Sequence, residues 1–318
     1  RGSAAVLRLG YFPNLTHAPA LIGLGSGMLT DALSPTRIEA RTFNSGSDAS
    51  QALLSGALDA AYIGPGPVVT MWVRSGKVAV VSGAVSGGAS LIVRTGAGIG
   101  APGDLRGRKV AVPGLGNTQD VALRTWLHDY GLEARDRGGD VTVMSVDNPE
   151  LAHVFRSGQV DAAWEPEPWP SMLVDQGVAQ RLVDESDLWP DGRFVTTTLV
   201  VSTPYLDAHP EVVDRLVDGN VAVLRHIHER PIESKVEARR QLLAEGARPL
   251  PPQVLAAAWD RLTFDWDPLE GPFEQVAGQM RALGAVEEDA PGLDGLFRLD
   301  ALNTVLDDEG LPPSEADL

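Results

Sequence analysis

An α/β fold of two similar lobes, joined by two crossings and separated by a ligand cleft, is what this sequence predicts. Strand-like runs alternate with Gly- or Pro-rich turns and helical stretches, and 318 residues suffice for two buried cores. The strongest observation is a repeat. Ser55-Gly56-Ala57-Leu58-Asp59-Ala60-Ala61-Tyr62 recurs 102 positions later as Ser157-Gly158-Gln159-Val160-Asp161-Ala162-Ala163-Trp164. The same offset lays Thr16-His17 over Thr118-Gln119 and Ser47 over Pro149. Three landmarks sharing one offset point to two lobes of one topology.

In chain order, residues 6–11 read as a strand, followed by the turn at 12–17 and a small-residue helix to about Met28. Residues 37–43 form the next strand, and Ser47 is a suitable N-cap for a helix to Ser55. A short buried strand at 60–64 ends at Pro65-Gly66-Pro67, and 78–84 and 90–94 are further strands. Residues 109–112, the turn at 113–117, a helix from Thr118 to about Tyr130 and a strand at 141–146 repeat the plan, with largely parallel strands expected. Pro149 suits the first turn of another helix. The crossings are expected near 93–102 and 196–203, giving one lobe from 1–94 and 200–318 and another from 95–199. Beyond Pro204 the chain turns helical; Val213, Leu216, Val217, Leu224 and Ile227 share one helix face.

Composition excludes several functions. Twenty-six Lys+Arg against 43 Asp+Glu give a net charge of −17, without the basic footprint of a nucleic-acid binder. No apolar run approaches the length of a membrane span. With no cysteine there is no disulfide, thiolate metal site or cysteine nucleophile. His226 and His228 fall on different faces of a helix, and a metal site is not expected. No nucleophile elbow, phosphate loop or catalytic carboxylate pair is present, so neither enzymatic activity nor a cofactor is expected. The opening Arg1-Gly2-Ser3 is compatible with removal of a leader.

Ligands of open α/β sheets sit beyond the carboxyl ends of strands, where helix N-termini present free N–H groups. The turns so placed are 11–17, 44–48 and 64–67 from one lobe, and 114–120 and 165–169 from the other. They carry Asn14, Ser45, Gly46, Ser47, Gly64, Pro65, Gly66, Asn117, Thr118 and Gln119, a donor-rich set suited to a compact oxyanion head group. Gly114-Leu115-Gly116 lacks the third glycine of a dinucleotide fingerprint, since Gln119 stands there; a small-anion turn and a plain structural turn both fit. His17 is either a donor to an anionic oxygen or a capping or packed histidine. Of Glu165 and Glu167, one is expected to cap the following helix while the other either meets ligand or is structural as well, and Phe12, Tyr62, Trp72 and Trp169 are either apolar walls of the pocket or core residues.

Several strings together resemble the nitrate/sulfonate/taurine group of ABC-transporter substrate-binding proteins, particularly the aliphatic-sulfonate branch. They are Leu9-Gly10-Tyr11-Phe12-Pro13-Asn14-Leu15-Thr16-His17-Ala18-Pro19, Asp59-Ala60-Ala61-Tyr62-Ile63-Gly64-Pro65-Gly66-Pro67, Gly116-Asn117-Thr118-Gln119-Asp120, Asp161-Ala162-Ala163-Trp164-Glu165-Pro166-Glu167-Pro168-Trp169 and Val195-Thr196-Thr197-Thr198. The resemblance covers roughly the first 230 residues. It implies the two-lobed, type II periplasmic-binding-protein fold and a monomer outside the cytoplasmic membrane, free or lipid-anchored. Such a protein passes a small organic anion to its cognate ABC permease. The implied ligand is an aliphatic sulfonate or sulfate ester, with nitrate and taurine as alternatives within the family. An enzyme of the thiamine-pyrimidine-precursor type on the same fold is the alternative of another class. Family pocket positions fall on His17, the 45–47 turn, the 64–67 turn, Thr118, Gln119 and the 165–169 segment.

Overall fold

The computed structural model describes residues 6–313; the first residues and the acidic tail lie outside the described residues. Its strands are β1 (Val6–Tyr11), β2 (Arg37–Thr42), β3 (Ala60–Ile63), β4 (Val78–Gly87), β5 (Ala89–Arg94), β6 (Lys109–Val112), β7 (Thr142–Ser145), β8 (Ala162–Pro166), β9 (Ala179–Asp184), β10 (Val195–Ser202) and β11 (Leu262–Phe264). They form a six-stranded sheet ordered β11-β4-β10-β3-β1-β2 and a five-stranded sheet ordered β7-β6-β8-β5-β9. Within each, three neighbours are parallel: β2-β1-β3 in the first and β7-β6-β8 in the second. The remaining pairings are antiparallel, so both sheets are mixed rather than largely parallel.

Helices cover both faces of each sheet, and the central strands are therefore apolar on both sides. In β3, Ala60 and Tyr62 enter one core while Ala61 and Ile63 enter the other. In β8, Ala162 and Trp164 likewise oppose Ala163. The repeated string performs the same local task twice. Asp59 Oδ2 accepts the β1 backbone N–H of Arg8 at 2.8 Å, and Asp161 Oδ2 accepts the β6 backbone N–H of Lys109 at 3.1 Å. Gly56 and Gly158 turn with φ of +75° and +68°, which explains glycine at both places.

The first passage between sheets comes earlier than the 93–102 expectation. β4 ends at Gly87 in one sheet and β5 starts at Ala89 in the other, turning through Gly87 and Gly88 at φ +78° and +74°. The chain returns with β10, whose pairing with β3 and β4 begins at Val195. The helix Pro210–Glu229 buries Val213, Leu216, Val217, Leu224 and Ile227 against the first sheet's core. Two starts differ from expectation. Ser45 rather than Ser47 caps Gly46–Leu54, because the backbone is still extended at Ser45, whose Oγ accepts Asp48 N–H at 3.2 Å. Asn148–Glu150 is a 3₁₀ turn, and the α-helix begins at Leu151.

Candidate functional site

A cavity of about 390 Å³ lies where the carboxyl ends of the parallel strands of both sheets face each other. Phe12, Asn14 and His17 follow β1; Phe43, Asn44 and Gly46 follow β2; Gly64 and Pro67 follow β3. Opposite them, Asn117, Thr118 and Gln119 follow β6, Asn148 follows β7, and Pro168 and Trp169 follow β8.

The donors are neutral. Phe12 N–H donates to His17 Nδ1 at 3.3 Å, so the imidazole proton belongs on Nε2. Burial pushes the His17 pKa down to about 3, which keeps the ring uncharged at physiological pH. The Phe12 ring meets it edge-on, with centroids 4.6 Å apart. Asn14 Oδ1 accepts from the Thr16 N–H and hydroxyl, at 2.9 and 2.7 Å, and so fixes the turn that presents His17. The helix Thr118–Asp129 starts after Asn117 without a side-chain cap, which leaves the N–H groups of Thr118 and Gln119 available at its positive end.

Glycines allow the two lobes to touch here. A Cβ on Gly64 would stand 2.5 Å from Thr118 Oγ1, and one on Gly46 would stand 2.9 Å from Asn117 Oδ1. A Cβ on Gly66 would meet Thr118 N at 3.0 Å. Across the same seam Gly66 N–H donates to Thr118 Oγ1 at 3.3 Å, leaving the threonine hydroxyl proton free to point elsewhere.

The two acidic residues of the 165–169 segment have separate tasks. Glu167 caps the helix Trp169–Asp175 by accepting Ser171 N–H at 3.1 Å, and it pairs with Arg181 at 2.8 Å. Glu165 is fully buried, and desolvation raises its pKa well above the usual carboxylate range. With the Asn148 amide assigned in the orientation that satisfies both of its ends, Glu165 Oε2 accepts from its NH2 at 2.8 Å and its Oδ1 accepts from Trp169 Nε1 at 3.0 Å. Glu165 thus stands behind the cavity wall and supports Trp169 through Asn148.

Six expected site residues lie outside the cavity lining: Ser45, Ser47, Tyr62, Pro65, Gly66 and Glu165. Tyr62 points into the core of the first lobe, where its hydroxyl donates to Asn220 Oδ1 at 2.8 Å. Trp72 donates through Nε1 to Gly292 O at 2.8 Å and also lies outside the lining. Ser47 is exposed. The 64–67 turn offers fewer donors than expected, since Pro65 and Pro67 have no N–H and Gly66 N–H is engaged by Thr118.

A model of the NMT1-like family matches residues 2–240. The chain belongs to that family. A putative binding protein of Brucella abortus (strain 2308) is 31% identical over 188 residues, covering 56% of this chain and 54% of that protein. The taurine-binding periplasmic protein of Escherichia coli K12 is 26% identical over 182 residues, covering 57% of this chain and 54% of its own. The chain spans about half the length of the curated relatives it matches. Among solved structures, the alkanesulfonate-binding protein SsuA from Xanthomonas axonopodis pv. citri, bound to MOPS, superposes with a TM-score of 0.79 at 19% identity, covering 94% of this chain and 100% of that one. The periplasmic nitrate-binding protein NrtA from Synechocystis PCC 6803 gives 0.82 at 16%, covering 98% and 92%. These likenesses show the two-lobed, type II periplasmic-binding-protein fold.

In this NMT1-like chain, part of the cavity comes from beyond the matched residues. Leu242, Glu245, Gly246, Ala247, Arg248 and Leu250 form a wall within the stretch beyond Pro204 that the sequence reads only as helical. Gly246, Pro249, Pro251 and Pro252 mark a loop there, and a loop carrying a charged residue was the available signal. Met172, Gln176 and Thr196 were likewise missed.

Proposed function

We propose that this protein is the extracytoplasmic substrate-binding component of an ABC importer, and that its lobes close as a monomer on a small organic anion. An aliphatic sulfonate or sulfate ester is the ligand class favoured. One observation carries the reading: both lobes contribute to one cavity, and its inner end holds neutral, preset donors at His17 Nε2, the Thr118 hydroxyl and the helix start at Thr118 and Gln119. Such dipoles stabilise an oxyanion without a full positive charge, much as helix N-termini do elsewhere. Phe12, Trp169, Met172, Leu242 and Leu250 line the rest and suit an organic tail. A cavity of about 390 Å³ is far larger than a tail-less planar anion such as nitrate needs. The names of the relatives agree in class, covering taurine, nitrate and alkanesulfonate binding.

In this mechanism one lobe's donors engage the head group and closure delivers the other's. The closed form gains only through the contacts it adds. Titration calorimetry with short and long alkanesulfonates, alkyl sulfates, taurine and nitrate tests the reading. Tailed sulfonates or sulfate esters should bind more tightly than nitrate and be recovered chemically unchanged. Tight binding of nitrate alone would overturn the ligand class, and turnover of a ligand would overturn the receptor role.

A further inference from the structure

The turn after β7 brings to the cavity a polar side chain that is held at both ends, Asn148. An indole nitrogen only donates, so the Asn148 atom 3.0 Å from Trp169 Nε1 is Oδ1. The amide nitrogen then faces Glu165 Oε2 at 2.8 Å, and Glu165 must accept there. A neutral Glu165, the form its burial favours, meets that demand with its carbonyl oxygen. Its proton then resides on Oε1, which is buried and without a partner among the described residues. A donor on one side and an acceptor on the other thus fix the amide in one orientation.

An amide NH2 has two hydrogens, and Glu165 takes one. The second has no acceptor among the described residues. Sheet topology gives its surroundings, because β6 runs between β7 and β8. A side chain from the β7 turn that reaches Glu165 and Trp169 must pass the end of β6 at Pro113, which also lines the cavity. From Pro113 the chain turns to Asn117, Thr118 and Gln119, this lobe's donors. The free amide hydrogen therefore lies in the cavity wall at the strand end from which the donor turn departs.

We infer that Asn148 Nδ2 is a further donor to the oxyanion of the ligand, and that Glu165 is the positioning residue that holds the amide for it. The inference rests on the anion-receptor reading above and adds a side-chain donor to the second lobe's helix start. Glutamine at 165 reproduces the neutral acid, with its carbonyl oxygen toward Asn148 and its NH2 in place of the Oε1 hydroxyl. Leucine there removes the acceptor and leaves the amide tethered by Trp169 alone.

Titration calorimetry with ethanesulfonate and hexanesulfonate tests this on wild type, Asn148→Ala, Glu165→Gln and Glu165→Leu. Asn148→Ala should weaken both ligands by the same factor, about 10-fold or more, the loss of one donor to a charged acceptor. A side chain that merely supported the Trp169 wall would instead cost the longer tail more. Glu165→Leu should lose about as much as Asn148→Ala, the double variant should bind no more weakly than Asn148→Ala alone, and Glu165→Gln should restore the affinity that leucine loses. Where Glu165→Leu does not fold, Trp169→Phe, which removes the bond to Oδ1, takes its place in the comparison with ethanesulfonate. Wild-type affinity in Asn148→Ala, or a loss confined to hexanesulfonate, would overturn the donor role and leave the receptor reading standing. Equal affinities of Glu165→Gln and Glu165→Leu would overturn the positioning role. Binding of neither ligand by wild type would overturn the receptor reading and this inference with it.

Discussion

Replacing Gly64 by alanine inserts a methyl group into the seam between the lobes. Gly64 has φ −77° and ψ 164°, a conformation open to any residue, so the substitution carries no backbone strain. The new Cβ would stand 3.1 Å from Thr196 O in its own lobe, which a shift of a few tenths of an ångström relieves. It would also stand 2.5 Å from Thr118 Oγ1 in the opposite lobe, far inside contact distance. Rotating Thr118 away breaks its hydrogen bond from Gly66, worth about 1 kcal/mol. Parting the lobes instead incurs an overpacking cost of about 1–3 kcal/mol. On the proposed closure, in which ligand release separates these turns, either penalty subtracts from ligand affinity, by roughly 5- to 150-fold. Calorimetric titration beside ligand-free thermal melting is the assay. Weakened binding with a melting midpoint within about 2 °C of wild type is expected. A soluble Gly64→Ala protein that binds with wild-type affinity would refute the reasoning, because these turns could not then meet around the ligand.

Two further predictions separate site from core. His17→Ala should weaken anion binding by about 10-fold or more, the loss of one donor to a charged acceptor, whereas Tyr62→Phe should leave binding unchanged. Tyr62→Phe should instead lower unfolding stability in urea by about 1–3 kcal/mol, since it leaves the buried Asn220 Oδ1 without its donor; the opposite pattern in either variant would reverse their assignments. Glu185 is buried, accepts Trp164 Nε1–H at 2.8 Å, and has its pKa pushed up to about 7 by desolvation. The folded protein therefore holds this proton more firmly than the unfolded chain, and its contribution is present below about pH 4.5 and lost as pH rises through 7. Wild type minus Glu185→Gln, followed by urea unfolding, should fall by about 3 kcal/mol across that window; a flat difference would refute it.

The architecture was largely legible because duplication is a sequence property. The Asp59 and Asp161 strings reveal it, and their equivalent hydrogen bonds to strand N–H groups explain why both copies keep the aspartate. Faces of buried strands were not legible. β3 is covered on both sides, so both faces of Ala60-Ala61-Tyr62-Ile63 enter a core while the cavity lies beyond the strand end, and Tyr62 is buried against Asn220. Glu165 was misplaced for a related reason: β8 continues to Pro166, which puts the carboxyl inside a strand instead of on the turn beyond it. Ser45 and Ser47 are equally able caps in composition, and the choice depends on where the extended backbone ends. The 242–250 wall was hidden because it reaches the cavity through contacts distant in sequence, which local pattern does not encode.

On the proposed anion-receptor reading, a chain of net charge −17 must keep its own negative groups from opposing the ligand. Around this cavity it does so by two different means. Burial raises the Glu167 pKa, and its carboxylate is partly offset by Arg181 at 2.8 Å and Arg261 at 3.9 Å. Glu165 has no cation beside it, and burial instead favours its neutral form. His17 shows the converse, since desolvation removes its positive charge yet leaves Nε2–H as a donor. The inner end of the cavity is consequently a field of oriented dipoles. Dipolar attraction falls off faster with distance than that of a charge, so the head group is held firmly only when both lobes are in contact with it. Affinity then depends on how closely the turns of the two lobes approach, which is the property that glycine at positions 46, 64 and 66 preserves.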